Sequence, residues 1–176
     1  MFQKVAIYDL LRPGVQTLES YEKSLSNDGS YEAQHPEFFA PDRLVFLDGL
    51  LQSRRSGDAG YHEALVHPAM FAHNNPKRVA IIGGGEGATL REVLKHDTVE
   101  TVVMIEIDKM MVDVSRQYIP EWSDCSMLSG SRDSCLDDPR SEVYYVDAIK
   151  WFQDRFGNSD NGITEEPFDV IIMDAL

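Results

Sequence analysis

The stretch "RVAIIGGGEGATLRE", Arg78 to Glu92, decides the fold. Its apolar start reads as a buried strand, its glycines as a tight turn, and "ATLREVLKH" as a helix with Leu90, Val93 and Leu94 on the apolar side. The pattern then repeats: strand "TVVMIEID", helix "KMMVDVSRQYI", strand "EVYYVDA", short helix "IKWFQDRF" and strand "FDVIIMDAL". Apolar strands alternating with helices imply an α/β domain whose parallel sheet is covered on both faces. Between the second helix and third strand, "WSDCSMLSGSRDSCLDDPRS" reads as a loop rich in Ser and Asp.

Upstream, "GYHEALVHPAMFAH" is a helical stretch with Leu65, Ala69 and Ala72 near one face, and Pro68 is expected at a kink or at a junction of two short helices. The runs "FQKVAIYDL" and "RLVFLDGLLQ" read as two strands able to pair antiparallel, with a long polar insertion between them. The expected division is a small β-domain over residues 1–56 and a nucleoside-binding α/β domain over 57–176. The last strand ends beside the edge where open α/β sheets bind ligands, so a longer parent protein is expected.

The 176 residues are 43% hydrophobic, enough for one substantial core, and carry 30 Asp and Glu against 16 Lys and Arg, a formal charge of −14. That balance disfavours nucleic acid and anionic membranes, and no apolar run approaches the ~20 residues of a membrane span. A cationic ligand suits it. Two cysteines, Cys125 and Cys135, have no second pair to complete a metal site, and a chain this size does not need disulfide scaffolding. A reducing cytoplasm is the expected location.

Gly83, Gly85 and Ala88 satisfy G-x-G-x-x-[GA], and Glu106 ends the next strand. Together they form a nucleotide-site fingerprint, in which glycines let backbone and ligand approach and the acid accepts from ribose hydroxyls. Glu86 in the turn then discriminates between ligands. A pyrophosphate ~4 Å from it, at an effective dielectric of ~20, would lose about 4 kcal/mol, close to a thousandfold in affinity. S-adenosylmethionine brings a carboxylate that Glu86 would also repel, whereas the decarboxylated form ends in a propylammonium that it would attract. The alternative is a Glu86 turned to solvent at a helix N-terminus, where the dipole favours acids. Asp147 and Asp174 end the third and fourth strands, so every strand of the parallel set delivers an acid to one edge. Asp147 can accept from an adenine amino group or merely cap a helix. Asp174 remains for chemistry.

With those residues in place, "LVFLDGLLQ", "GYHEALVHP", "PKRVAIIGGGEGATLREVLKH", "VVMIEID", "DDPRSEVYYVDA" and "FDVIIMDAL" resemble, in order, the polyamine aminopropyltransferases: spermidine, spermine and thermospermine synthases. The resemblance spans about Phe2 to Leu176, apart from Leu10–Asp42 and Trp122–Asp137. It implies a small N-terminal β-domain before a methyltransferase-like Rossmann domain. The implied reaction moves the aminopropyl group of decarboxylated S-adenosylmethionine, a co-substrate rather than a tightly bound cofactor, to a polyamine amine. Methylthioadenosine is released. By the same resemblance Gln3 and Gln52 contact the nucleoside from the β-domain, Glu86 holds an amino group, Glu106 the ribose, and Asp147 with Ala148 the adenine. Tyr61 and His62 face the polyamine, and Asp174 is the base.

A polyamine ammonium cannot attack until it loses a proton, so a carboxylate that attracts, orients and deprotonates it fits the need. Without the resemblance, His62 would read as a surface or core histidine and Tyr61 as packing; His67 and His73 read as structural, with no metal spacing. Family members form dimers or tetramers. Glu in "GGGEG", "YVDA" in place of G-D-G or D-D-G, and "YHEALVHP" lean toward thermospermine synthases, which act on spermidine, over spermidine synthases. The family usually continues after the base with a second acid and a proline, and this sequence ends at "DAL" before those positions. A methyltransferase using intact S-adenosylmethionine and a non-catalytic assembly partner are the rival readings.

Overall fold

The computed structural model describes residues 4–10, 42–128, 130, 133–157 and 165–175; Gln3 and most of the insertion between the first two strands lie outside them. The chain divides into two compact units, Met1–Gly57 and Asp58–Leu176.

The first unit is a three-stranded antiparallel sheet of β1 (Val5–Leu10), β2 (Asp42–Leu47) and β3 (Leu50–Arg54), in the order β1-β2-β3. The run "RLVFLDGLLQ" is therefore a hairpin rather than one strand. Its two-residue turn is Asp48-Gly49, with φ of 50° and 85°. Both residues are left-handed, the conformation that matches the twist of paired strands and that Asp-Gly supplies. The register shifts along β3: Val45 faces Ser53 but Phe46 faces Leu51, which leaves Gln52 as the extra residue of a bulge. At the other end of the hairpin the buried Asp42 accepts from Arg54 and from both the Ser56 amide and hydroxyl.

The second unit opens with α1 (Asp58–Ala72), followed by β4 (Arg78–Gly83), α2 (Ala88–Leu94), β5 (Thr101–Glu106) and α3 (Lys109–Tyr118). β6 (Ser141–Tyr145), α4 (Ala148–Phe156) and β7 (Val170–Asp174) complete it. The sheet is parallel, in the order β6-β5-β4-β7. Strands added on one side of β4 give way to β7 on the other, so the strand order reverses at β4, where Rossmann-like sheets open a crevice.

Neighbouring residues of β5 enter different cores. Val102 and Met104 pack with α1, α2, α3 and β7, while Val103 and Ile105 pack with Trp151 of α4 and with Phe168. Helical cover on the second face reaches only part of the sheet: Ile171 and Met173 of β7 stand exposed among the described residues.

Three details differ from the sequence reading. The buried stripe of α1 is His62, Val66 and Met70, spaced by four; Leu65 and Ala69 only flank it and Ala72 is exposed. Pro68 sits inside one continuous helix rather than at a junction. Finally, Cys125 and Cys135 form a disulfide, against the expectation that they would stay reduced. The loop that carries them is not loose: it folds into 3-10 turns at Pro120–Ser123 and Cys135–Asp137, and a β-bridge joins Asp124 to Ser134. That bridge brings the two cysteines together, and both are buried in the main core.

Candidate active site

The glycine turn sets the geometry. Gly83 has φ 84°, a left-handed conformation that L side chains rarely adopt. It pairs with Asp174 across β4 and β7, and the Gly84 amide donates to the Asp174 carbonyl at 3.1 Å. Gly85 is required for a steric reason: a β-carbon there would lie 2.9 Å from Glu106 Oε2 and 3.0 Å from Met111 Cγ. The turn thus brings the ends of β4, β5 and β7 together at the crevice.

Glu86 projects from this turn but not to solvent, which corrects the alternative of an exposed helix-end acid. Its side chain is 13% exposed, and Oε1 lies 3.0 Å from His62 Nε2. His62 is itself buried, and its Nδ1 lies 2.8 Å from both the Asp58 carbonyl and Asp58 Oδ1, one helical turn earlier. Burial alone would depress the imidazole, but the hydrogen bonds with Asp58 and Glu86 outweigh it and push the pKa up to about 10. Burial pushes Glu86 upward against the opposing pull of His62, with the charge of Asp174 adding to the rise.

Asp58, His62 and Glu86 offer ligand atoms within 4.8 Å of one another, close enough for a metal ion. The two carboxylates, however, engage different nitrogens of the ring, which point away from each other. The arrangement is a hydrogen-bonded chain with the imidazole in its middle.

Tyr61 stacks edge-on against His62, with ring centroids 4.9 Å apart, and remains largely exposed. Its phenol is pushed up by burial and by the charges of Asp174 and Glu86, which places all three groups in one electrostatic neighbourhood. Asp174 Oδ2 accepts from the Thr89 hydroxyl at 2.6 Å. Four of the expected site residues, Tyr61, His62, Glu86 and Asp174, therefore meet. His62 is turned to Glu86 and enclosed, not open to an acceptor.

Glu106 is buried, and burial raises its pKa while amides of Asp108, Ile107 and Gly85 hold it down. The Asp108 amide donates to Oε1 at 2.8 Å. Asp147 is exposed and caps α4, accepting from the Lys150 amide at 3.2 Å; Ala148 begins that helix. The cap stays beside β5 because the Val146 amide donates to the Glu106 carbonyl at 3.1 Å. Gln52 belongs to the first unit, and Gln3 lies outside the described residues.

Three residues of the site escaped the sequence reading. Asp58 had a signal, its spacing of four from His62 on a helix. Arg91 donates to Asp58 Oδ2 and to the Trp122 carbonyl, both at 2.9 Å, and so ties α1 to the turn at Pro120–Ser123. Thr89 is fully buried and 85 positions from Asp174, a pairing no local pattern announces. A cleft of about 410 Å³ lies elsewhere, lined by Arg116, Glu121, Ser123 and Asp133 among others, and holds none of the strand-end acids.

Residues 58–176 match the spermine/spermidine synthase domain. The chain is 48% identical over 132 residues to polyamine aminopropyltransferase 1 of Hyperthermus butylicus, covering 75% of this chain and 40% of that protein. Against the Thermococcus onnurineus polyamine aminopropyltransferase it is 44% identical over 133 residues, covering 76% and 40%. Among solved structures, spermidine synthase from Thermotoga maritima superposes with a TM-score of 0.62 at 37% identity, over 76% of this chain and 40% of that one. A spermidine synthase in complex with the transition state analogue AdoDATO gives the same score at 36% identity, over 76% and 39%. The chain spans about two fifths of the length of these relatives. On the strength of the matched domain and the glycine turn with its strand-end acids, this chain belongs to the spermine/spermidine synthase family.

Proposed function

We propose that the protein transfers the aminopropyl group of decarboxylated S-adenosylmethionine to a polyamine amine. The observation that carries this reading is the meeting of Glu86, Asp174 and Tyr61 at the β4–β7 crevice. The likeness, at 36% identity, to a spermidine synthase in complex with the transition state analogue AdoDATO supports this activity. Glu86 attracts the propylammonium and Glu106 receives the ribose hydroxyls. Gln3, Gln52, Asp147 and Ala148 serve the nucleoside as well. Asp174, oriented by Thr89, faces the acceptor with Tyr61, and His62 acts through Glu86 as a positioning residue.

The step needs little more than alignment. The acceptor nitrogen gives its proton to Asp174, and its lone pair attacks the aminopropyl carbon bonded to sulfur. The carbon–sulfur bond breaks, its electrons return to the sulfonium, and neutral methylthioadenosine leaves. A cytoplasmic homodimer or homotetramer is the setting proposed for it.

For the acceptor we favour spermidine, giving thermospermine, because of Glu86 in the turn, "YVDA" at the end of β6 and "YHEALVHP" on α1. The test is mass spectrometry of products made by the whole protein from decarboxylated S-adenosylmethionine with putrescine or spermidine. Thermospermine from spermidine alone is the expected result. Spermidine from putrescine would keep the activity and replace the acceptor; no transfer to either would overturn the proposal.

A further inference from the structure

We infer that His62 holds the carboxylate of Glu86 that the ligand's ammonium must share, so that binding this ammonium expels a proton from the site. The inference rests on the aminopropyl reading above and specifies how the ligand gains its place.

The geometry fixes the proton count. The Asp58 backbone carbonyl, 2.8 Å from Nδ1, can only accept, so Nδ1 carries a hydrogen. Nε2, at 3.0 Å, faces a carboxylate that also accepts when ionised. Both nitrogens then donate and the ring is an imidazolium, consistent with the upward shift of its pKa to about 10. The charged groups around it are Asp58 on the same helix, Glu86 on the turn, Arg91 of α2 acting through Asp58, and Asp174 of β7 beyond Glu86, with the neutral phenol of Tyr61 beside the ring. Arg91 offsets Asp58, so within the pair His62 and Glu86 neutralise each other.

A ligand ammonium arriving at Glu86 meets that imidazolium. Two like charges ~4 Å apart at an effective dielectric of ~20 weaken binding about a thousandfold if both persist. Loss of the Nε2 proton to solvent replaces that penalty with the smaller cost of deprotonating the ring, about three hundredfold at pH 7.5 for a pKa of about 10. The neutral ring keeps its Nδ1 hydrogen on Asp58, and its Nε2 lone pair becomes an acceptor for the same ammonium. A neutral tail brings nothing with which to displace the proton.

The experiment is isothermal titration of the whole protein at pH 7.5 in two buffers of different ionisation enthalpy. Decarboxylated S-adenosylmethionine is the cationic probe and methylthioadenosine the probe lacking the aminopropyl ammonium. Expected are release of about one proton per cationic probe bound, none for methylthioadenosine, and about tenfold tighter binding of the cationic probe per pH unit between pH 7 and 8, while His62 and the ligand amine both stay protonated when free. His62→Gln, which has no proton to give, is expected to bind the cationic probe without release. Cationic-probe binding with identical heats in both buffers would overturn this inference and leave the aminopropyl reading standing. Release that persists in His62→Gln would also overturn it, because the proton then comes from another group. Failure of both nucleosides to bind would overturn the two readings together.

Discussion

At the scale of single residues, the site is arranged by partners that carry no motif. Thr89 fixes the rotamer of Asp174 through one charge-assisted hydrogen bond, and such bonds contribute roughly 1.5–3 kcal/mol. Thr89→Val keeps the shape of the buried side chain and removes that bond. Turnover is expected to fall about ten- to hundredfold, with Thr89→Ser restoring most of it; steady-state kinetics of both variants checks this. His62 makes the fold itself pH-sensitive. Its folded pKa, about 10, stands above its ordinary 6.5, so the folded state holds the proton more tightly than the unfolded chain. The resulting stabilisation is full below about pH 6.5 and is lost as the pH rises through about 10. Denaturant titrations between pH 6 and 10 are expected to show a decline in wild type that His62→Gln lacks. Of this network, Glu86, Asp174, Tyr61 and His62 were legible in the sequence, since each lies in a strand-end turn or a recognised motif. Thr89 and Arg91 were not, because their partners are set by packing between elements far apart in the chain.

At the scale of elements, α2 is the hub. Its residues are almost all buried, including Glu92, whose carboxylate is held by Arg91 Nε and Lys95 Nζ, both at 2.8 Å. His67 of α1 approaches the same group at 3.4 Å. Breaking a buried ion pair costs roughly 3–5 kcal/mol where the remaining charge is left uncompensated; here Arg91 keeps Asp58 and the Lys95 ammonium reaches solvent, so the loss is smaller. Glu92→Gln is therefore expected to lower the domain's stability by about 1–3 kcal/mol, measured by chemical denaturation. The elements around this hub were readable from periodicity: four apolar strands and their helices follow directly from it. The hairpin was not, because "RLVFLDGLLQ" is apolar enough to pass for one strand. Its Asp-Gly pair was the available signal. The bulge at Gln52 has no such signature, since register belongs to the pair of strands and not to either one.

For the whole molecule, the parallel sheet was legible in the alternation of strands and helices, whereas the order β6-β5-β4-β7 that opens the crevice was not, because doubly wound sheets occur in more than one order. What spacing alone did not reveal was how the acidic loop after α3 is closed. Its disulfide encloses about ten residues, and in the chain-entropy view a loop of that size contributes roughly 3 kcal/mol. Reductant is expected to lower the melting temperature, with Cys125→Ser reproducing the drop and showing no further response to reductant. Calorimetry with and without reductant checks this. The same ring has a covalent consequence. A protease that cuts the chain anywhere between Cys125 and Cys135 severs the backbone without releasing a fragment, because the sulfur bridge still joins the half bearing the glycine turn to the half bearing Asp174. Such a nicked molecule migrates as one band on a non-reducing gel and as two when reduced.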